Sequence, residues 1–274
     1  MATQPGFLLP PLQSAAGISF RESGQRDAPA LVLLHGIGST SAAWRLQYGP
    51  LGEHCRVVGW DAPGYGGSRP LPDESPGVEA YAQALERLLD ALGIASALLG
   101  SSSWGTPTAV CFARLRPQRV RALVLGGPAA GWAASSAEER ARRAAERIDR
   151  ITRLGPEKMR QEDSARLVAP GTRAEVLDWI RNSAGLTVEG YSQAVHMLSA
   201  ADVVRDVKGV TCPVTVISGD KDIVTPPDAN ARPIVAAAPN ATLETFANCG
   251  HLPHLEFPER FNQVVLAVLR EAKR

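Results

Sequence analysis

The sequence predicts an α/β protein in which helices cover both faces of a mostly parallel sheet. Short runs of aliphatic and β-branched residues alternate with segments of helical periodicity along the 274 residues, and this alternation is typical of that class. Several runs, such as LVLL and VTVIS, are apolar throughout, as expected of strands buried on both faces. Seven strands are predicted on this basis: residues 18–21, 30–34, 56–60, 97–100, 121–125, 214–218 and 242–246.

Helical periodicity is clearest between residues 78 and 92. Tyr81, Leu85 and Leu88 lie three or four positions apart, and Gly93 follows as a stop signal. We therefore predict a helix here that crosses between two strands.

The region from residue 134 to 208 lacks the strand pattern and is helical and charged. Its SSAEE stretch offers a capping box, and Gly155-Pro156 is expected to end one helix and open another, so three or four helices are predicted. The charged run SSAEERARRAAER is interpreted as a solvated helix face. We expect a core formed by residues 1–133 and 209–274, with residues 134–208 as a helical insertion.

Composition argues against several classes of partner. The formal net charge is +1 and charges of both signs are interleaved, so we expect no nucleic-acid binding. The start, MATQPGFLLPPLQ, has no basic segment and two prolines interrupt its apolar run, so we expect no signal peptide, no membrane partner and a cytoplasmic location. The cysteines lie far apart without zinc spacing, so free thiols and no metal are expected. A monomer and a homodimer both stay open.

The stretch LLGSSSWGTPTAV is the most informative one for chemistry. A buried strand runs directly into Ser103 and then into a helix, a sharp turn that can expose a nucleophilic serine. This turn crowds the positions two before and two after the serine; Ser101 and Gly105 are small enough, whereas Ser102 as nucleophile would put Trp104 at a crowded position. The pattern is SxSxG and not GxSxG, so the steric reason, not the literal motif, favours Ser103. A serine that only caps the helix is the alternative.

The segment HGIGS follows another buried strand and suits an oxyanion hole. A flexible turn there can direct the Ile37 amide toward the oxygen of a tetrahedral intermediate, and the amide of Trp104 would be the second donor.

Acid and base candidates follow the last two strands. Asp220 and Asp222 come after VTVIS, and His251 and His254 lie beyond the final strand. The chain order Ser, Asp, His is the one expected of a serine hydrolase whose site lies at the carboxyl edge of a parallel sheet.

Five segments together resemble the α/β-hydrolase superfamily, in the branch that contains enol-lactonases, small esterases and C–C bond hydrolases: HGIGS, DAPGYGGS, SSSWGTPTA, GDKDIVTPP and GHLPHLEFPERFN. The resemblance covers nearly the whole core. It implies an α/β-hydrolase fold with a mostly parallel eight-stranded sheet and a helical cap inserted after strand 6. It also implies Asp222 as the acid, His251 as the base and no cofactor.

The same resemblance implies structural roles for other polar residues. Asp61 and His35 would brace loops, and His254 would pack near the site. Six residues of the cap are candidates to line a pocket, and two or three of them are expected to touch substrate. They are Ile151, Met159, Leu167, Trp179, Tyr191 and Met197.

The predicted function is hydrolysis of a small ester or lactone by Ser103, His251 and Asp222 through an acyl-enzyme, with a small-molecule carbonyl substrate and water as partners. Residues 190–219 are similar to the corresponding part of 3-oxoadipate enol-lactonases, so a small lactone is the leading substrate. Ser103 in place of Asp disfavours a dehalogenase or epoxide hydrolase, and Leu252 in place of Trp after the histidine disfavours a C–C hydrolase without removing it. A small-molecule receptor with weak turnover also stays open.

Overall fold

The structure is a computed structural model that describes residues 9–272. One sheet contains the eight strands of this range. They are β1 Leu12–Ala15, β2 Ile18–Ser23, β3 Ala30–Leu34, β4 Arg56–Trp60, β5 Ala97–Ser102, β6 Val120–Gly126, β7 Val214–Gly219 and β8 Ala241–Phe246. Their spatial order is β1-β2-β4-β3-β5-β6-β7-β8. The pairs β1–β2 and β2–β4 are antiparallel and all other neighbours are parallel, which confirms the predicted mostly parallel, eight-stranded sheet.

Helices cover both faces of the sheet, as predicted. The α-helices of the described residues are α1 Arg45–Gly52, α2 Val78–Ala91, α3 Gly105–Leu115, α4 Ala137–Asp163, α5 Ala174–Arg181, α6 Val188–Ala200, α7 Val203–Asp206, α8 Ala231–Ala237, α9 Pro253–Glu256 and α10 Pro258–Glu271. Leu51 of α1 and Phe261 of α10 belong to one apolar cluster. Leu85 of α2, Phe112 of α3 and Ile234 of α8 belong to the cluster on the opposite face.

The seven strands expected from the sequence are all present, with ends that differ by at most two residues. The first strand, β1, was not predicted. It lies at the sheet edge, where it pairs with β2 alone, and its residues alternate between exposed and half-buried. No apolar run therefore marks it in the sequence.

Four α-helices, α4 to α7, lie between β6 and β7, in agreement with the three or four predicted there. Ser136 Oγ accepts a hydrogen bond from Glu139 N at 3.2 Å, which is the expected N-terminal cap of α4. Gly155 has φ 75° and ψ 162° and kinks this helix where Gly155-Pro156 predicted a break. The division of the chain into a core and a cap of residues 134–208 stays a prediction.

The inserted helices are joined to the rest of the molecule through α6. Gly190 and Gly64 are in direct backbone contact, and a Cβ on Gly190 would lie 2.1 Å from Gly64 O. Gln193 Nε2 donates to Leu71 O at 2.7 Å and to Asp73 O at 2.8 Å. Helix α6 is thus fixed against the DAPGYGGS segment and residues 71–73.

The start of the chain is only partly described. Residues 1–8, on which most of the expectation about a signal peptide rests, lie outside the described residues. Within residues 9–272, no helix is both long and apolar enough to cross a membrane.

Candidate active site

Ser103 occupies the sharp turn between β5 and α3. Its φ of 51° places it in the left-handed region, which non-glycine residues enter rarely. The conformation is held by backbone hydrogen bonds: Ser103 N donates to Gly126 O at 3.0 Å, and Ser103 O accepts from Thr106 N at 3.0 Å and from Ala129 N at 3.3 Å. The turn presents the serine beyond the carboxyl end of its strand.

The crowding that the sequence predicted around this turn is present. A Cβ on Gly105 would lie 2.5 Å from Leu34 O of the neighbouring strand, closer than real Cβ atoms approach. Ser101 is fully buried and its hydroxyl lies 3.1 Å from Thr106 Oγ1. A larger residue at either position would displace β3 or α3.

His251 and Asp222 meet at the same edge of the sheet. His251 Nδ1 lies 2.9 Å from Asp222 Oδ2, and both side chains are almost fully buried. Burial alone would raise the pKa of Asp222, but the hydrogen bond and charge of His251, together with hydrogen bonds from Thr225, hold that pKa below its ordinary value. Asp222 is therefore ionised at neutral pH and holds the imidazole ring at its Nδ1 atom.

Thr225 was not predicted from the sequence, yet it belongs to this cluster. Its Oγ1 lies 2.8 Å from Asp222 Oδ2 and 3.1 Å from His251 Nδ1. Asp222 Oδ1 in turn accepts from the backbone amides of Val224 at 2.8 Å and Thr225 at 2.9 Å. The threonine three residues after a loop aspartate is the sequence signal for such a turn.

The alternative acid and base lie elsewhere. Asp220 accepts a long hydrogen bond from Cys249 N at 3.3 Å and pairs with Lys221. His254 is buried with its ring 4.5 Å from that of Trp44, and neither ring nitrogen has a hydrogen-bond partner among the described residues. Burial, followed by the charge of His251, lowers the pKa of His254 to about 3. A neutral, stacked imidazole fits the packing role expected for it.

The two predicted oxyanion donors both line the cavity that contains Ser103. Neither the Ile37 amide nor the Trp104 amide donates a hydrogen bond within the described part of the chain. Tyr65 OH donates to Ile37 O at 2.9 Å, and Trp104 Nε1 donates to Ala194 O of α6 at 3.0 Å. The two donor residues are thus anchored through other atoms while their amides stay open.

His35 and Asp61 form hydrogen bonds that fix loops. Ala62 N donates to His35 Nε2 at 3.0 Å, and His35 Nδ1 donates to Gly36 O at 2.8 Å. Asp61 accepts from Ser41 N and Ser19 Oγ, both at 2.7 Å. Both residues hold the loops that follow β3 and β4, as the resemblance implied.

Glu256 was also not predicted from the sequence to belong to this site. Its carboxylate accepts from the backbone amides on either side of His251, those of Gly250 at 3.0 Å and Leu252 at 3.1 Å. It accepts as well from Ala169 N at 2.8 Å and Thr172 Oγ1 at 3.1 Å, both in the inserted region. One carboxylate therefore connects the histidine loop to the insertion.

A cavity of about 1290 Å³ contains Ser103 and His251 and extends under the inserted helices. Ser103 Oγ makes no hydrogen bond to any described residue, so the serine and the histidine face the cavity without being bonded to each other. Of the six predicted cap residues, four line the cavity: Met159, Leu167, Trp179 and Tyr191. Ile151 and Met197 are buried in the apolar cluster instead.

Comparisons with known proteins agree over nearly the whole chain. The sequence model of the alpha/beta hydrolase family matches residues 31–264. The chain is 30% identical over 257 residues to the 2-hydroxy-6-oxononadienedioate/2-hydroxy-6-oxononatrienedioate hydrolase 2 of Pseudomonas putida, with 89% of this chain and 88% of the relative covered. A thermophilic esterase from Thermogutta terrifontis superposes with a TM-score of 0.83 at 27% identity, covering 97% of this chain and 98% of the esterase. The enol-lactonase from Burkholderia xenovorans LB400 superposes with a TM-score of 0.81 at 26% identity, covering 95% and 100%.

Proposed function

The chain belongs to the alpha/beta hydrolase family, and we propose that it is a serine hydrolase that cleaves a small ester or lactone through an acyl-enzyme. One observation carries the proposal: Ser103, in its left-handed turn, shares a cavity with His251, whose opposite nitrogen bonds to Asp222. Strained backbone at a nucleophile is a feature of catalytic turns.

In the proposed reaction, His251 Nε2 removes the Ser103 hydroxyl proton while Oγ bonds to the substrate carbonyl carbon. The amides of Ile37 and Trp104 stabilise the oxyanion that forms. The intermediate collapses, the bond to the alkoxy oxygen breaks, and His251 gives its proton to that oxygen. Water then attacks the acyl-enzyme by the same route and releases the acid. The Ser103–His251 hydrogen bond would form with substrate present, since such bonds are often loose in empty sites.

Asp222 has a positioning role in this proposal. Because it accepts from Nδ1, it leaves Nε2 as the nitrogen free to take the serine proton, and its negative charge stabilises the imidazolium that results. Thr225 Oγ1 supports the carboxylate from a second direction.

The test is hydrolysis of short p-nitrophenyl esters and simple lactones by the purified protein and its Ser103→Ala variant. We expect multiple turnover by the wild type and a loss on the order of 10⁶-fold in kcat in the variant. Ser102→Ala is the matched control, because Ser102 Oγ is buried without a hydrogen-bond partner in the described structure and its loss should leave turnover intact. Activity that survives Ser103→Ala and disappears in Ser102→Ala would overturn the assignment.

Cleavage of a carbon–carbon bond is the second candidate. It is favoured by the relative from Pseudomonas putida, whose name specifies a 2-hydroxy-6-oxononadienedioate hydrolase. The test is incubation of the purified protein with 2-hydroxy-6-oxononadienedioate, the compound in that name, and analysis of the products. Cleavage of this compound without turnover of any ester or lactone would replace the first proposal. Tight binding of esters with neither reaction would favour a receptor.

A further inference from the structure

The cavity is lined by more positively charged than negatively charged side chains. Among the described residues, its lining includes seven arginines and three aspartates and no glutamate. All three aspartates already have partners: Asp61 accepts from Ser19 and Ser41, Asp163 pairs with Arg150 and Arg166, and Asp178 pairs with Arg181. The cavity therefore holds a surplus of cations that its own carboxylates do not neutralise.

Two of these arginines converge on one aromatic ring. The guanidinium carbons of Arg143 and Arg147, one turn apart on α4, lie 4.5 and 5.6 Å from the centre of the Trp132 ring. Like charges at this spacing repel each other, and the indole face offsets only part of that repulsion. Neither guanidinium forms an ion pair with any described residue. The charge of Arg143 helps to lower the pKa of Glu139, but the Glu139 carboxylate is bonded to Arg142.

The outward face of the same helix is built differently. Arg142 bonds to Glu139 at 2.9 Å and to Glu146 at 2.5 Å. Arg142, on the solvent side of the helix, thus has two carboxylate partners, whereas the adjacent Arg143, which lines the cavity, forms no ion pair with a described residue. Arg143 and Arg147 of the run SSAEERARRAAER are half-buried and line the cavity, so this part of the predicted solvated face borders the cavity.

Arg147 also bonds to a second residue that lines the cavity, Tyr191. Its Nε donates to Tyr191 OH at 3.1 Å, so the two terminal nitrogens remain available. Its charge acts on the buried Tyr65, whose hydroxyl is bonded to Ile37 O. Trp132 follows Ala129 by three residues, so their backbones lie within about 11 Å of each other. Ala129 N is bonded to Ser103 O, and this bond connects the segment that carries Trp132 to the turn of Ser103.

We propose that Arg143 and Arg147 form an anion site that binds a carboxylate at the end of the substrate's acyl chain. The catalytic use of this anion site rests on the serine-hydrolase proposal. The anion site in turn specifies the substrate class of that hydrolase, an acidic ester or lactone. Two guanidinium groups can offer several charge-assisted hydrogen bonds to one carboxylate. Both arginines line the same cavity as Ser103, so the carboxylate and the carbonyl of one substrate would lie in a single cavity.

The kinetic test compares two esters that differ in charge, p-nitrophenyl hydrogen glutarate and p-nitrophenyl valerate, after subtraction of spontaneous hydrolysis. We expect the wild type to prefer the glutarate. Arg143→Gln and Arg147→Gln should each lower kcat/KM for the glutarate by about tenfold, mainly through KM, and leave the valerate within about twofold. Arg147→Lys, which keeps the charge, should lose less. Arg142→Gln is the matched control on the outer face of α4 and should change neither substrate.

A binding measurement separates the anion site from the hydrolase proposal. Calorimetric titration of glutarate into the Ser103→Ala protein should show saturable binding that weakens more than about tenfold when Arg143 and Arg147 are both replaced by Gln. Failure of the wild type to hydrolyse any ester, with glutarate binding intact, would reject the hydrolase and keep the anion site. No glutarate preference, equal losses on both esters in Arg147→Gln, or binding indifferent to the double substitution would overturn the anion site.

Discussion

The left-handed φ of Ser103 is costly for a residue with a side chain, on the order of 1–3 kcal/mol. Three backbone hydrogen bonds compensate for it, and the absence of a side chain at Gly105 lets the turn pack closely against Leu34 O. The same contacts fix the direction in which the serine hydroxyl emerges. The backbone of Ser103 is thus held in place before substrate arrives, which would aid catalysis in the proposed reaction.

The two aspartates of the GDKD loop provide a test at the level of single residues. Asp222→Asn should lower kcat by about 10⁴-fold, because Asn can donate to Nδ1 and stabilise the wrong tautomer of His251. Asp220→Asn is the matched control, two residues away and not bonded to the histidine, and it should retain most activity. Steady-state kinetics on the best ester decides; the reverse ranking would move the acid to Asp220.

Sequence reasoning reached the residues whose requirements are local and missed those that depend on distant partners. The small residues around Ser103 follow from the geometry of one turn, so they can be identified from a dozen residues. Asp222 could be separated from Asp220 only through a family resemblance. Thr225 carries a weak turn signal, and Glu256 carries none, because its partners include residues up to 87 positions away.

At the scale of elements, the loop that carries His251 is held by α9. Glu256, its last residue, accepts from Gly250 N and Leu252 N on one side and from Ala169 N and Thr172 Oγ1 on the other. A carboxylate has enough lone pairs for all four donors, whereas the amide of Gln has one oxygen and would turn its NH₂ group toward at least one N–H.

Glu256→Gln should therefore lower both the free energy of unfolding and kcat. A buried donor left without an acceptor costs about 1–3 kcal/mol, and a displaced His251 slows proton transfer. Glu259→Gln, in the first turn of α10 and exposed, is the control. Urea unfolding and ester kinetics on both variants give the answer, and identical behaviour of the two would show that Glu256 does not position the histidine loop.

Elements differ in how well the sequence predicts them. Buried strands and the amphipathic α2 follow from apolar periodicity, and the kink of α4 follows from Gly155-Pro156. Strand β1 has no such signal, since an edge strand buries little and can be formed by a polar segment such as LQSA. Periodicity also does not show which neighbour a polar helix face meets, so it gave no sign that Arg143 and Arg147 of α4 line the cavity.

For the whole molecule, the inserted helices and the sheet are joined by polar contacts that lead to the candidate site. Trp104, next to the proposed nucleophile Ser103, donates to Ala194 of α6, and His251 N donates to Leu167 O at 3.1 Å. Displacement of the insertion would therefore act on both a proposed oxyanion donor and the proposed base. In the proposed reaction, the insertion would influence the rate as well as the choice of substrate.

Stability toward acid depends on histidines buried without charge. His254 has a pKa of about 3 in the folded protein and about 6.5 in an unfolded chain. Between these values the unfolded state binds a proton that the folded state does not, so this contribution to stability is fully present above pH 6.5 and is lost as the pH falls toward 3. From pH 7 to pH 5 the loss amounts to about 2 kcal/mol.

His254→Phe should remove that part of the pH dependence, since a phenyl ring can stack on Trp44 and has no proton to bind. Urea unfolding at pH 7 and pH 5 should show a smaller loss of stability in the variant than in the wild type. Burial also lowers the pKa of His35, so His35 would account for pH dependence of the unfolding free energy that remains in the variant. His54→Asn changes an exposed histidine and should follow the wild type. If His254→Phe follows it too, His254 is protonated as easily in the folded protein as in the unfolded chain, and its burial has no role in acid sensitivity.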